Sequence, residues 1–286
     1  MSATTARTVA ITGATGYLGG VLRERFARDG WATVDLVRSP DGRSSRRYVI
    51  GEPPSTDLLD GIDVLVHCAY DMSLRTREQI WAVNVDGALR LLDAADAAGV
   101  SRTVMLSSMS AYDGTTQLYG LSKLEIERAS KEHGALSVRP GLSYGPGAGG
   151  MAGALTKLTT LPVVPVVAAR SHQFTVHHDD FADAIVALVG AARVVTDPIG
   201  IANPVPVAFR ELVEGLARLD GRTCRTLPFP WRPIYGVLRA SERLGLDPPF
   251  RSDSLFGLVH PAPVVPNLQV LADLGVALRR FGQPRP

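Results

Sequence analysis

Cysteine is almost absent: Cys68 and Cys224 are the only two in 286 residues, and no C-x-x-C spacing occurs. That excludes a disulfide scaffold or a multi-thiolate zinc site and suits a reducing compartment. Long apolar runs are missing as well, with no stretch of the roughly 18 uncharged apolar residues that a bilayer span needs. The first residues lack a basic-then-apolar leader, and a strand pattern starts within the first ten. Excess charge of either sign is also lacking. Lys+Arg 30 against Asp+Glu 28 leaves a net +2, so neither a nucleic-acid footprint nor an acidic disordered tail is implied. What remains is the expectation of a cytoplasmic protein acting on a small molecule, without nucleic acid or membrane. Its length allows one large α/β domain or a domain with a lobe.

What is present begins with a glycine turn. The apolar strand Val9-Ala10-Ile11 runs into Thr12-Gly13-Ala14-Thr15-Gly16-Tyr17-Leu18-Gly19, and a helical pattern follows through Leu18, Leu22 and Phe26. Gly30 ends that helix, and 33–37 reads as a second strand. A strand, a tight turn and a helix whose first amides face outward are the parts that hold a dinucleotide pyrophosphate. About 20 residues past the glycines an acid would hold the ribose hydroxyls of NAD(H). Val37 and Arg38 stand there instead. A guanidinium offers two donors to a 2′-phosphate, which favours NADP(H) and leaves NAD(H) possible. The plainer alternative puts Arg38 with Arg43, Arg46 and Arg47 in a solvated basic loop.

Lysine is the second informative scarcity. Only Lys123, Lys131 and Lys157 occur, and Lys123 follows Tyr119 by four residues. With seven tyrosines, random placement gives about 0.07 such Tyr-x-x-x-Lys pairs. The 118–133 segment has helical periodicity, so the pair shares one face. A phenol of pKa about 10 needs a shift of about three units to work near neutrality, and an adjacent ammonium stabilises the phenolate. Ser108 lies at the end of a predicted strand, 103–106, where its hydroxyl can meet a substrate oxygen.

The Thr-Gly-led G-x-x-G-x-x-G turn together with Tyr-x-x-x-Lys resembles the short-chain dehydrogenase/reductase superfamily, in its extended or atypical, epimerase/dehydratase-like branch. Further stretches match in register: 61–69, Asn84-Val85-Asp86-Gly87, 139–147 and 177–183. The resemblance selects Ser108 over Ser107 and Ser110, and Tyr119 over Tyr112, giving Ser108, Tyr119 and Lys123 as the catalytic set. It implies cofactor contacts at Gly13, Thr15, Gly16, Tyr17, Leu18, Gly19, Arg38, Cys68, Ala69, Tyr119, Lys123, Pro140 and Leu142, with Glu52 a weaker adenine contact. His67 reads as a core histidine. His177 and His178 point apart if extended, so no metal is expected. Asp179 or Asp180 reads as a helix N-cap. Cys68 reads as a small packed residue, with redox sensitivity beside a nicotinamide as the alternative.

The expected fold is a Rossmann doubly wound parallel sheet over 1–200, with a substrate-loop insertion at about 142–172. A small, mainly helical substrate lobe is expected over 201–286, and homodimerisation through the Tyr119 helix is common in the family. Met109 and Ser110 follow the catalytic hydroxyl where dehydratases carry Asp-Glu, which disfavours dehydration. Gln173 stands where nucleotide-sugar epimerases often present Arg. The resulting expectation is an NADP(H)-dependent ketone/alcohol oxidoreductase for a sugar-like or secondary-metabolite substrate. A nucleotide-sugar epimerase and a non-catalytic NADP(H)-sensing protein are the alternatives. The substrate pocket is expected among 70–77, 109–117, 142–160 and the lobe.

Overall fold

The computed structural model describes residues 6–42, 44–192, 195–246 and 252–285. The strands are β1 (Thr8–Thr12), β2 (Ala32–Val37), β3 (Ser45–Arg47), β4 (Val64–His67), β5 (Arg102–Leu106) and β6 (Leu136–Pro140). They continue with β7 (Leu142–Tyr144), β8 (Val163–Val167), β9 (His172–Gln173), β10 (Thr175–His177), β11 (Ile199–Ile201), β12 (Val207–Ala208) and β13 (Arg225–Phe229). Seven of them form one parallel sheet in the order β11-β6-β5-β4-β1-β2-β3. The order reverses between β1 and β4, which opens a crevice at their C-terminal ends.

The helices are α1 (Tyr17–Arg28), α2 (Arg77–Ile80), α3 (Asp86–Ala97), α4 (Leu118–Glu132), α5 (Gly150–Leu158), α6 (His178–Gly190), α7 (Phe209–Leu219), α8 (Trp231–Arg243), α9 (Ser252–Val259) and α10 (Gln269–Asp273). Because both faces of the sheet are covered, its central strands are apolar almost throughout, and all four residues of β4 are buried. Val9 and Ile11 of β1 face Leu22 and Phe26 of α1 and Phe181 and Ile185 of α6. The intervening Ala10 faces Leu91 of α3, while Met105 of β5 meets Ile126 and Ala129 of α4.

A five-residue π turn, Trp81–Val85, joins α2 to α3, and it buries Asn84 completely. Beyond the sheet, β8 pairs in parallel with β13, and Val164 and Val166 pack with Phe209, Leu212 and Leu216 of α7. The chain then returns: Leu268, Leu271 and Leu274 join the core under α1 and α6. That return is tied by Asp180, whose fully buried carboxylate takes the backbone N–H and guanidinium of Arg279 at 2.7–3.0 Å. Among the described residues, no helix is long and apolar enough to cross a membrane.

Candidate active site

The glycine turn sits at the mouth of the crevice. Gly13 adopts φ +66°, and a Cβ there would lie 3.1 Å from the Ala69 backbone nitrogen. At Gly19 the approach is closer still, since a Cβ would stand 2.2 Å from the Gly13 carbonyl oxygen. Both positions therefore need glycine. The turn delivers the chain into α1 with Gly16 as N-cap, no capping side chain and no acid in the first turn. An uncapped helix start behind a glycine cradle carries free amides and partial positive charge, which suits a dinucleotide pyrophosphate. Arg38 lies exposed just beyond β2.

Thr12 locks the two strands that flank the crevice. Its Oγ1 accepts the Cys68 and Ala69 amides at 3.0 Å each. With both lone pairs used, its own proton goes to Nδ1 of His67 at 2.9 Å, so the neutral ring carries its proton on Nε2. Burial, helped by the nearby Lys123 ammonium, drives His67 down to about 3. That histidine is a structural acceptor. Cys68 is likewise pushed up to about 12 by burial, so it stays a thiol and is a poor nucleophile.

Ser108, Tyr119 and Lys123 meet where β5 and α4 approach each other. Ser108 and Tyr119 line the same cavity. Burial raises the Tyr119 phenol, while the neighbouring Ser108 hydroxyl opposes that rise. The expected lowering by Lys123 is not what sets the phenol here: burial dominates, so the group is held protonated. Lys123 is 3% exposed, donates to the Leu106 carbonyl at 2.6 Å and is brought down to about 8 by burial. Cys68 and Glu127 oppose that fall.

Several supporting groups escaped sequence reasoning. Tyr70 stands edge-on to Tyr119 with ring centres 5.1 Å apart, and the Lys123 ammonium lies 4.6 Å from its ring centre. Glu127, one turn beyond Lys123, takes Arg139 of β6 in a two-bond pair at 2.7 and 2.6 Å and the Ser107 hydroxyl at 2.5 Å. Asn84 clamps the backbone of Asp71 from both sides, accepting its N–H at 2.7 Å and donating to its carbonyl at 3.1 Å. Asn84, Arg139 and Tyr70 fall in stretches the sequence singled out, but nothing in it pointed to these contacts or to Glu127.

The cavity beside Tyr119 measures about 400 Å³. Met109, Leu142, Met151, Phe174 and Leu258 make its walls largely apolar. Pro140, Gly141, Ser254, Gly257 and His260 also line it. Among the described residues, none of the lining side chains is Lys or Arg. Gln173, at the position where the epimerase resemblance expects Arg, lines this wall and donates to the Leu258 carbonyl at 3.2 Å. Tyr112, the rival tyrosine, is engaged elsewhere: its hydroxyl donates to the His260 carbonyl at 2.9 Å.

Two expectations and one alternative need correction. His177 and His178 do not diverge, because the chain turns into α6 between them; their ring centres are 4.7 Å apart, and their ligand-capable atoms lie within 4.8 Å of one another and of Asp179's. The N-cap is His177, whose Nδ1 accepts the Asp179 amide at 3.2 Å, and not Asp179 or Asp180. Arg46 and Arg47 belong to edge strand β3 rather than to a loop. Arg46 donates to the Leu58 carbonyl at 2.7 Å and Arg47 pairs with Glu52 at 2.8 Å. Arg43 lies outside the described residues.

Known proteins resemble this chain throughout the sheet. The model of the NAD dependent epimerase/dehydratase family matches residues 9–199. A protein named Ceramide reductase from Caulobacter vibrioides is 34% identical over 233 residues, 78% of this chain and 73% of its own. The solved structure of gox2253 has the same fold, with a TM-score of 0.74 at 20% identity over 96% of this chain and 94% of that one. The terminal R domain of the myxalamid PKS-NRPS pathway gives a TM-score of 0.71 at 22% identity, over 97% and 88%. The match runs from the first strand to the seventh, so the chain belongs to the NAD dependent epimerase/dehydratase family and is an NAD-dependent enzyme of the oxidoreductase or epimerase kind.

Proposed function

We propose that the chain is an NADP(H)-dependent reductase of a ketone carried on a hydrophobic, lipid-like molecule. The observation that carries this reading is the convergence of Ser108 and Tyr119 on one largely apolar cavity of about 400 Å³, with Lys123 buried behind them. A bound nicotinamide supplies the hydride. The chain's own residues do the rest. The Ser108 hydroxyl and Tyr119 phenol bracket the substrate oxygen, and the phenol gives its proton as that oxygen gains electrons. The Lys123 ammonium, 5.9 Å from the Tyr119 ring centre, stabilises the phenolate left behind. Arg38 supports the preference for a 2′-phosphate.

The substrate class follows from the lining. Nucleotide sugars bring two phosphate charges, and the wall offers Gln173, tethered to α9, where a cation is expected. Methionine, leucine and phenylalanine walls instead suit an alkyl chain. The 34% identical relative is itself named for ceramide, a lipid.

The test is NADPH consumption against a panel of long-chain ketones, with product measured alongside. One NADPH should disappear per alcohol formed. Tyr119→Phe should cut kcat by about 10²–10⁴, with the NADPH Kd unchanged within a few-fold. Product without net NADPH loss would move the assignment to epimerase. Turnover indifferent to Tyr119→Phe would remove the catalytic assignment altogether.

A further inference from the structure

A buried ammonium keeps its charge only where its surroundings replace the water it has lost. Lys123 is 3% exposed, and one of its three donors goes to the Leu106 carbonyl of β5 at 2.6 Å. The titratable groups around it give little more. His67 and Cys68, at and just past the end of β4, are both held neutral by burial. Glu127, one turn along α4, is already committed to Arg139 and the Ser107 hydroxyl. Tyr119 is held protonated, with its ring centre 5.9 Å from the ammonium. The Asp71 carboxylate takes the amide and hydroxyl of Ser73 at 2.8 and 2.6 Å.

Tyr70, three residues past β4, stands closer than Tyr119. The Lys123 ammonium lies over its ring, 4.6 Å from the centre, inside the roughly 6 Å over which the negative face of an aromatic ring attracts a cation. The ring is also anchored. Ser122 donates its proton to the Tyr119 carbonyl at 2.8 Å, so in the 2.8 Å contact between the Tyr70 and Ser122 hydroxyls it is Tyr70 that donates. Tyr119 packs on the same ring nearly at right angles, with 5.1 Å between centres. Three consecutive contacts with α4, through Tyr119, Ser122 and Lys123, therefore hold Tyr70 in one orientation.

We propose that the ring face of Tyr70 is the cation–π partner that keeps Lys123 charged. Burial strengthens this attraction, because a desolvated cation has no water for the ring to compete with. A carboxylate in the same place would hold the ammonium more firmly, but it would also repel a phenolate forming on Tyr119. The ring steadies the cation and adds no net charge. Under the reductive reading Tyr70 is thereby a positioning residue for the Tyr119–Lys123 pair; that consequence rests on the reading, and the partnership with Lys123 does not.

The chain has three lysines, so full-length protein labelled with 13C at lysine Cε lets Lys123 be followed by NMR, its signal identified as the one missing in Lys123→Arg. Tyr70→Leu should lower its titration midpoint by about one pH unit or more, a tenfold or greater loss of proton affinity. Tyr70→Phe keeps the ring face and should leave the midpoint close to wild type. Phenylalanines of increasing fluorination at position 70 keep the shape while draining the ring face, and the midpoint should fall stepwise along the series even if Tyr70→Leu does not fold. A midpoint unmoved by the fluorinated series overturns the proposal. So does a Tyr70→Phe midpoint that falls as far as that of Tyr70→Leu, since the effect would then belong to the bond with Ser122. The alkaline limb of kcat/KM for NADPH-dependent reduction should follow the midpoint. A midpoint that moves while the limb stays would support the partnership and count against Lys123 in the reductive reading, so the two failures are told apart.

Discussion

Replacing Glu127 by Gln separates what the buried acid does for the fold from what it does for Lys123. Glu127 is 6% exposed and accepts three hydrogen bonds, two from Arg139 at 2.7 and 2.6 Å and one from Ser107 at 2.5 Å. Glutamine keeps the shape but turns an NH2 donor against one of those donors. It also leaves the Arg139 side chain, 15% exposed, without a counter-charge. Breaking one partner of such a pair costs about 3–5 kcal/mol. At about 2–3 °C per kcal/mol for a chain of this size, Tm should fall by about 6–15 °C. The second effect is catalytic. Burial holds Lys123 near 8 and Glu127 is one of the groups holding it up, so the wild-type kcat/KM for reduction should decline above about pH 8 as the ammonium is lost. Without the acid that decline should begin at lower pH. The linkage has a definite sign. The folded lysine lies below its usual 10.5, so between about 8 and 10.5 the unfolded chain binds the extra proton and stability rises with pH. A Tm taken at pH 7 is outside that window and reports the ion pair; the alkaline limb of kcat/KM reports the lysine. A Tm within about 2 °C of wild type, or a limb that does not move, would refute the reasoning. Glu127→Leu with Arg139→Met should recover much of the stability but leave the limb displaced.

Two further substitutions probe the cofactor cradle. Arg38→Asp should cost NADPH roughly 10–100-fold in Kd, through loss of charge-assisted bonds to the 2′-phosphate, while NADH is spared; titration of both nucleotides decides, and an unchanged NADPH-to-NADH ratio removes Arg38 from the site. Gly19→Ala places a methyl 2.2 Å from the Gly13 oxygen and 3.0 Å from the Ala14 Cα. Both are backbone atoms that can yield only by opening the turn, so NADPH affinity should fall by roughly 10–100-fold with the fold intact by circular dichroism. Unaltered affinity would mean the turn does not hold the nucleotide.

The strands of the central sheet were legible where apolar residues ran unbroken between turn residues, as in β1 and β5. Strand β11 was not, because Ile199-Gly200-Ile201 is three residues long with a glycine at its centre, and its pairing with β6 is wholly tertiary. Strand β13 hid behind Pro228 and Pro230. Prolines read as breakers, yet an edge strand tolerates them because one row of its amides needs no partner. The π turn at Trp81–Val85 left no mark in the periodicity, since one extra residue shifts phase by less than a 20-residue window reveals. In the site, the residues bearing chemistry were legible by type and spacing. Their supporters were not: Tyr70, Thr12 and the Glu127–Arg139 pair act through contacts between segments distant in sequence, and each is an ordinary residue until the fold brings it there. The histidine pair failed for a local reason, that alternation holds in a strand and stops at the first residue of a helix.

One physical cause runs through four titratable groups at the centre. Burial pushes Lys123 down to about 8, His67 down to about 3, Cys68 up to about 12 and Tyr119 upward, in each case toward the uncharged form. Three of the four are thereby fixed as neutral donors or acceptors across the range in which proteins work, and Lys123 alone changes charge near neutrality. Under the reductive reading this has a directional consequence. A phenol held protonated is ready to give its proton to a nascent alkoxide at neutral pH, while Lys123 still carries the charge that steadies the phenolate. Alcohol oxidation needs the reverse, an ionised phenol, and raising the pH to obtain it discharges Lys123 first. The same desolvation that makes the site a competent proton donor therefore makes it a poor base, and the arrangement favours ketone to alcohol over the return.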